Sequence, residues 1–549
     1  MVIGKEINPV RCVIMIVSNL KKQFSGTYVL DDVSFILSDN DKVGLVGING
    51  SGKSTLLKVL SGELDSDSGS VKLHGERIGY LKQEISYEYN DYSIFDYIKH
   101  EIGIDLLEEK LHDLENNLTD ENMDEYGEVL NEYLAIDGYS FDNNLKTIIN
   151  GLNLNKNLDD KIGSLSGGEK IKVLLAALLL QNTDILLLDE PTNNLDIDAI
   201  EWLEKTLISS GKKMIIVSHD DVFLNNVSNK IFELADGRII EYNLKYDDYF
   251  DQKELEYLQL KDKYEKAQEQ RDKIKKQVQR SKEWANKGIN KKAHNDNDKL
   301  ANNYAKEKTS TGNISRLSRS LENIEVPEFR EKQPIRVLFN FDNSKGNRDI
   351  ILDDLVCGYE TFKTPKLNLL IPFGSKVNIV GGNGTGKTTL IKTILGDIDP
   401  VFGSVRIGND VRIGYISQDT LDSNTEASVY EYLVGDSDLD NSKIFTLMDK
   451  FNFDYDDRNK KYSLLSPGER TRVNLIKLVL NNINTLVLDE VTNHLDREAI
   501  DLIYELVDEY KGTILSISHN RKYNDKLNAD INLDISTGKV LKKKTIRHR

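Results

Sequence analysis

Along the chain, short apolar runs of strand length alternate with longer stretches of helical spacing, a pattern that predicts α/β domains built on a largely parallel sheet. Val13–Val17 reads as a first strand. Lys42–Val46 (KVGLV) and Lys376–Val380 (KVNIV) are strands that run straight into glycine-rich loops, and helices follow at Thr55–Leu60 and Thr389–Leu395. Asp184–Asp189 (DILLLD) and Thr485–Asp489 (TLVLD) are almost wholly apolar, as strands covered on both faces must be. The longest apolar stretches, such as Val173–Leu180 and Ile185–Leu188, fall well short of the ~20 residues a spanning helix needs. A proline-free stretch rich in strong helix formers, Asp251–Lys287, predicts one helix of roughly 55 Å, and a second helix-like stretch runs from about Leu300 to Asn323. The two read as a helical hairpin.

The pattern occurs twice. G-x-x-x-x-G-K-[ST] appears as Gly47–Ser54 (GINGSGKS) and Gly381–Thr388 (GGNGTGKT), an offset of 334. An aromatic before each (Phe24, Tyr359) and a glutamine after each (Gln83, Gln418) repeat at 335. A serine-glycine motif (Ser166, Ser466), an Asp-Glu pair closing an apolar run (Asp189-Glu190, Asp489-Glu490) and a late histidine (His219, His519) repeat at 300. The first copy therefore carries a net insert of 35 residues (335 − 300) between Gln83 and Ser166.

A strand, a glycine loop and a helix in that order make a phosphate cradle. In the loops Gly47, Asn49, Gly50 and Gly52, and Gly381, Asn383, Gly384 and Gly386, the glycines let successive backbone N–H groups turn toward one anion, and the helix dipole adds to the attraction. Lys53 and Lys387 are expected to reach the β- and γ-phosphates of ATP, with Ser54 and Thr388 on Mg²⁺ and Thr55 and Thr389 beside them. Asp189 and Asp489 leave the C-terminal edge of their strands, where such sheets bind ligands, and are the expected Mg²⁺ partners. Glu190 and Glu490 follow, placed to polarise the attacking water.

Leu165-Ser166-Gly167-Gly168-Glu169 resembles the signature of the ABC ATPases, and Leu465-Ser466-Pro467-Gly468-Glu469 is a near copy. The resemblance implies two nucleotide-binding domains of the P-loop NTPase fold meeting head to tail, with each ATP between one domain's phosphate loop and the other's signature. One site would pair Lys53 with Ser466 and Gly468, the other Lys387 with Ser166 and Gly168. Phe24 and Tyr359 would stack on adenine, Gln83 and Gln418 would contact Mg²⁺ and the water, and His219 and His519 would contact the γ-phosphate. Two positions depart from the pattern: Pro467 replaces a glycine, and Val491 stands where the first copy has Pro191.

Charge and composition narrow the class. Formal net charge is −18, which argues against a simple basic coat for nucleic acid. Residues 96–137 carry 14 acids and two bases, whereas residues 271–319 carry 14 bases and five acids. The basic residues Lys275, Lys276, Arg280, Lys282, Lys287, Lys291 and Lys292, with Trp284 among them, suit a folded RNA through phosphate neutralisation and stacking. Two cysteines can build neither a disulfide framework nor a four-ligand zinc site, and with no signal peptide the expected compartment is the cytoplasm.

Tandem cassettes, a long charged linker and an insert in the first cassette together resemble the ABC-F family, which acts on ribosomes. The expected order is a dispensable extension at 1–14, a first ABC domain at 15–250 with an arm at about 98–140, a linker at 251–333, a second ABC domain at 334–541 and a short basic tail at 542–549. The family implies a single chain whose own cassettes pair, bound in the tRNA exit site. Its linker would point toward the peptidyl-transferase centre and P-site tRNA, and its arm toward the protein of the ribosomal stalk. The leading expectation is an ATPase that protects or rescues ribosomes from peptidyl-transferase-centre antibiotics. A housekeeping translation factor is the alternative within the family. The ATPase pair of an ABC transporter with separate membrane subunits is the alternative outside it.

Overall fold

The computed structural model describes residues 15–48, 50–290, 315–317, 319–321, 324, 326, 347–359, 362–417, 425–435, 441–451, 453–492, 495 and 497–543. The extension at 1–14, Asn49, Gln418, Lys291 and Lys292, most of the second linker helix and the end of the tail lie outside them.

Two sheets build each cassette. In the first, the strand Lys42–Val46 lies parallel between Lys213–Val217 and Lys230–Ala235. Ile185–Asp189 and then Ile78–Tyr80 continue the sheet on one side, and Arg238–Tyr242 closes the other edge antiparallel. The second cassette repeats this order with Ile413–Ser417, Thr485–Asp489, Thr513–Ile517, Lys376–Val380, Ile531–Asp534 and Lys539–Lys543. Every residue of Ile185–Asp189 and of Thr485–Asp489 is buried, as the unbroken apolar runs require. Antiparallel sheets of three strands pack beside them. Met15–Phe24 pairs with Thr27–Leu37 and Ser68–Lys72, and Ile350–Val356 with Leu367–Ile371 and Phe402–Ile407. In Thr27–Leu37, Val33, Phe35 and Leu37 are buried while Ile36 between them is exposed, so this sheet turns one face to the core.

Paired elements locate the insert. Helix Ile94–Ile102 matches Val429–Val434 at 335 (429 − 94), and Phe141–Gly151 matches Asn441–Lys450 at 300 (441 − 141). The change of register falls between Ile102 and Phe141. Two helices fill it, Ile104–Asn116 and Met123–Ala135, packed on each other through Leu111, Val129 and Tyr133. Leu106, Leu118, Met123 and Leu134 remain exposed among the acids.

Residues 247–334 form a compact unit of their own. Its main element belongs to a helix of 45 residues, Tyr246–Asn290, longer at both ends than the sequence pattern predicts. Ion pairs one turn apart line it, Lys266 with Asp262 and Lys273 with Glu269. Such pairs stabilise an exposed helix by about 0.2–0.5 kcal/mol each. Lys275, Lys276 and Arg280 are exposed on it. Lys282, Trp284 and Lys287 fall on the same helix, their side chains outside the described residues.

Candidate nucleotide site

Each glycine loop enters its helix, Lys53–Ser61 or Lys387–Leu395, through a glycine in left-handed backbone, Gly52 at φ 100° and Gly386 at φ 93°. A Cβ would lie 2.5 Å from Val29 Cγ1 at the first and 2.8 Å from Phe362 Cε1 at the second. Backbone sign and space both demand glycine. The lysines curl back over their loops: Lys53 Nζ donates to the carbonyls of Gly47 (2.8 Å) and Ile48 (3.0 Å), and Lys387 Nζ to those of Gly381 (2.9 Å) and Gly382 (3.0 Å). Burial lowers the pKa of the Lys387 ammonium, with the charges of Glu490 and Asp489 opposing. A phosphate beside it would satisfy this buried cation.

Asp189 and Asp489 stand at the C-terminal ends of their strands. Burial raises the Asp489 carboxyl, while a hydrogen bond from Thr388 works the other way. In the first cassette Gln83 Nε2 donates to Asp189 Oδ2 at 3.3 Å. Glu190 and Glu490 each adopt φ 51°, a backbone costly to a side chain. Their amides hold them there, donating to Val217 O at 2.8 Å and Ile517 O at 2.9 Å. His219 Nε2 lies 3.4 Å from Glu190 Oε1, and His519 Nε2 lies 3.9 Å from Glu490 Oε1. Burial, helped by the charge of Lys387, pushes the His519 ring down to about 4, so it is neutral at pH 7.

Ser166 and Ser466 cap the helices Gly167–Leu180 and Pro467–Leu480, each in a reciprocal capping box with Glu169 or Glu469. Proline at the first helical position explains how Pro467 is accommodated, since the N–H it lacks has no partner within the helix. Val491 is buried and joins the apolar core of its cassette. A cleft of about 610 Å³ takes Tyr359, Asn383, Lys387, Thr388, Glu490 and His519 from the second cassette, and Ser166, Gly168, Lys172 and Asn194 from the first. Asn383 Nδ2 donates across it to Asn194 O at 2.7 Å. The cleft of about 410 Å³ at Lys53 is different: Phe24, Gly50, Gly52, Ser54, Thr55, Asp189, Glu190 and His219 line it, and every lining residue belongs to the first cassette. Neither Ser466 nor Gly468 is among them. A small cavity of about 40 Å³ between the clefts touches Glu190 and His219 on one side, Thr492 and His519 on the other.

Lys172, Asn194 and Phe362 line the larger cleft without having been expected there. Lys172 carries the one available signal, a lysine one turn beyond Glu169 on the signature helix. It is buried, its Nζ donates to Asn153 O at 3.1 Å, and burial lowers its pKa.

A family model described as "ABC transporter" matches residues 30–193 and 365–493, and its extension model, with the same description, matches 232–337. The chain belongs to the ABC family, in its F branch. "ABC transporter F family member 2" of Arabidopsis thaliana is 32% identical, over 92% of this chain and 74% of its own length. "Uncharacterized ABC transporter ATP-binding protein YfmM" of Bacillus subtilis is 33% identical, over 96% of this chain and all of its own length. "ATP-binding protein Uup" of Haemophilus influenzae is 31% identical, over 91% and 76%. A solved complex of archaeal ribosomal stalk protein aP1 with the archaeal ribosome recycling factor aABCE1 shares the fold, with TM-score 0.56 and 19% identity over 94% of this chain and 86% of that one. ABC-F cassettes bind and hydrolyse ATP, so the chain is an ATPase. Among the described residues no helix is long and apolar enough to cross a membrane.

Proposed function

We propose that the chain is a ribosome-associated ATPase in which ATP binding closes the cassettes fully on each other, the cleft at Lys53 included, and hydrolysis lets them reopen. Lys53 and Lys387 would exchange the loop carbonyls for the β- and γ-phosphates, as the geometry of a preformed cradle allows. Glu190 and Glu490, fixed by their strained backbone, would accept the proton of the attacking water, and neutral His519 would keep a ring N–H to donate to the γ-phosphate. Ser166 and Ser466, at helix N-termini, would bind the same phosphate from the opposite cassette.

Mg²⁺ suits the donors present. Among the described residues no cluster of three or more His, Cys, Asp or Glu could hold a metal. A hydroxyl and a carboxylate per site, Ser54 with Asp189 and Thr388 with Asp489, are the sparse set of hard oxygens that Mg²⁺ takes together with phosphates and water. Gln83, whose amide lies against Asp189, would add a further oxygen, and Gln418 stands at the matching position of the second copy. Bound there, the ion would neutralise charge on the phosphate oxygens.

The observation that carries the ribosomal reading is the charge of the linker, whose exposed Lys275, Lys276 and Arg280 belong to a basic tract lying within the matched extension region, residues 232–337. The acidic arm suits a basic protein such as one of the stalk, because RNA would repel it. Changing Lys275, Lys276 and Arg280 to alanine should weaken co-sedimentation with ribosomes about tenfold at physiological salt without lowering basal ATP hydrolysis; unchanged binding refutes the reading. Drug protection, the finer role, rests on linker length, and of the hairpin tip that would carry it, Trp284 to Leu300, the part after Asn290 lies outside the described residues. Expression in a sensitive Gram-positive host decides between protection and a housekeeping role. Raised inhibitory concentrations for peptidyl-transferase drugs support protection, and slowed growth on loss of the protein without such a rise supports housekeeping.

A further inference from the structure

Away from both ATP clefts, a second set of charges crosses between the cassettes. Arg521, the first residue of helix Arg521–Leu527, makes a two-pronged ion pair with Glu204 on helix Ile197–Ser209. Beside it Lys522 Nζ lies 3.0 Å from Asp221 Oδ2. Tyr246 donates to the other oxygen, Asp221 Oδ1, at 2.8 Å, and Asn226 Nδ2 donates to Glu204 Oε2 at 3.1 Å. The carboxylates are deeply buried, with Glu204 8% and Asp221 7% exposed in their side chains. Buried acids of this kind depend on their partners, because removing one partner strands the other charge.

The internal repeat turns this contact into a statement about specificity. Helices Ile197–Ser209 and Arg497–Glu509 correspond at 300, as do Asp221–Val227 and Arg521–Leu527. At that offset Glu204 matches Tyr504, Asp221 matches Arg521, and Val222 matches Lys522. The positions that meet across the interface are equivalent in the two halves, yet their charges are not. Two first cassettes paired the same way would bring Asp221 against Glu204, carboxylate against carboxylate. Two second cassettes would bring Arg521 against Tyr504 in place of Glu204, and Lys522 against Arg521 in place of Asp221, cation against cation. Only the mixed pair satisfies every charge.

We infer that Glu204–Arg521 and Asp221–Lys522 form a charge lock that specifies pairing of the first cassette with the second and keeps this one edge of the pair in contact before nucleotide binds, leaving the cleft at Lys53 for ATP to close. The lock lies outside the phosphate-binding residues, so it positions rather than catalyses. It also accounts for the cleft at Lys387 already holding residues of both cassettes.

Charge exchange tests it. The reporter is the full chain with Cys12→Ser, Asn194→Cys and Asn383→Cys, joined by a short bismaleimide without nucleotide; ATP hydrolysis is measured on the same lock variants without the reporter cysteines. Arg521→Glu should lower cross-linking about fivefold and hydrolysis about tenfold, since a repelling pair replaces an attracting one. Arg521→Glu combined with Glu204→Arg should restore both to within about twofold of the parent. If Arg521→Glu does not fold by circular dichroism, Arg521→Gln takes its place as the broken lock. Cross-linking and hydrolysis that survive the single change, or an exchange no better than the single change, would overturn the inference.

Discussion

Asn383, in the phosphate loop of the second cassette, gives its side-chain amide to the backbone carbonyl of Asn194 in the first, at 2.7 Å. Loop and neighbouring cassette are thus joined at the mouth of the cleft that holds Lys387 and Ser166. The corresponding cleft at Lys53 has no lining from the second cassette. Removing the Asn383 amide should therefore act on one site alone. Asn383→Ala should weaken ATP binding about threefold to tenfold, for one lost hydrogen bond of about 1 kcal/mol, while Asn383→Asp should do no better. Nucleotide titration resolving two sites checks this.

The loop glycines give a second prediction. Gly386→Ala must hold a side chain at φ 93° and push a Cβ to 2.8 Å from Phe362. A loss of about 1–3 kcal/mol in stability is expected together with loss of ATP binding at that site. Gly62, also left-handed at φ 80° but facing open space, should cost less when changed to alanine, about 1 kcal/mol. Chemical denaturation of the two variants separates strain from crowding.

His519 predicts a pH dependence with a definite sign. Its ring titrates at about 4 in the fold against an ordinary value of 6.5, so between these values the unfolded chain binds a proton that the folded chain does not. Stability is retained above 6.5 and is lost as pH falls toward 4, by on the order of 3 kcal/mol from this group. Replacing His519 with glutamine should flatten that part of the curve. Denaturation midpoints at pH 7.0 and 5.0 compare the two slopes, and equal slopes would show that the ring is not held neutral.

Replacing the arm, Ile104–Ala135, with a short polar loop should leave basal ATP hydrolysis within about twofold of the parent, because the two helices form a separate excursion from the register of the repeat. Ribosome association should weaken, and the difference between parent and variant should shrink as salt rises. Sedimentation at several salt concentrations measures both.

Much of the fold was legible because local pattern and tertiary demand agree. The apolar run before Asp189 becomes a strand buried on both faces, and the strand-loop-helix order around Lys53 and Lys387 is the one the glycine spacing predicts. Offsets of 335 and 300 bounded the insert between Gln83 and Ser166, and the helices on either side narrow it to the segment between Ile102 and Phe141. The cleft partners were less visible. Lys172 offers only its place one turn beyond Glu169 and Asn194 only its place four residues after Glu190, and what brings them to Lys387 is the packing of one cassette on another. Spacing within a chain says nothing of that packing. The Glu204–Arg521 pair, 317 residues apart, was equally hidden, since a lone acid and a lone base give no local signal.

The proposed ATP-gated attachment to the ribosome is tested most directly by changing together Glu190 and Glu490, the glutamates proposed to activate water. Glu190→Gln with Glu490→Gln removes no phosphate or metal ligand, so ATP binding should persist while hydrolysis falls by about 10²-fold or more. The measurement is co-sedimentation of this variant with ribosomes, with and without ATP. Stable, stoichiometric retention with ATP and release without it is the expected result. Equal sedimentation in both conditions, or none in either while ATP binding is intact, would contradict it.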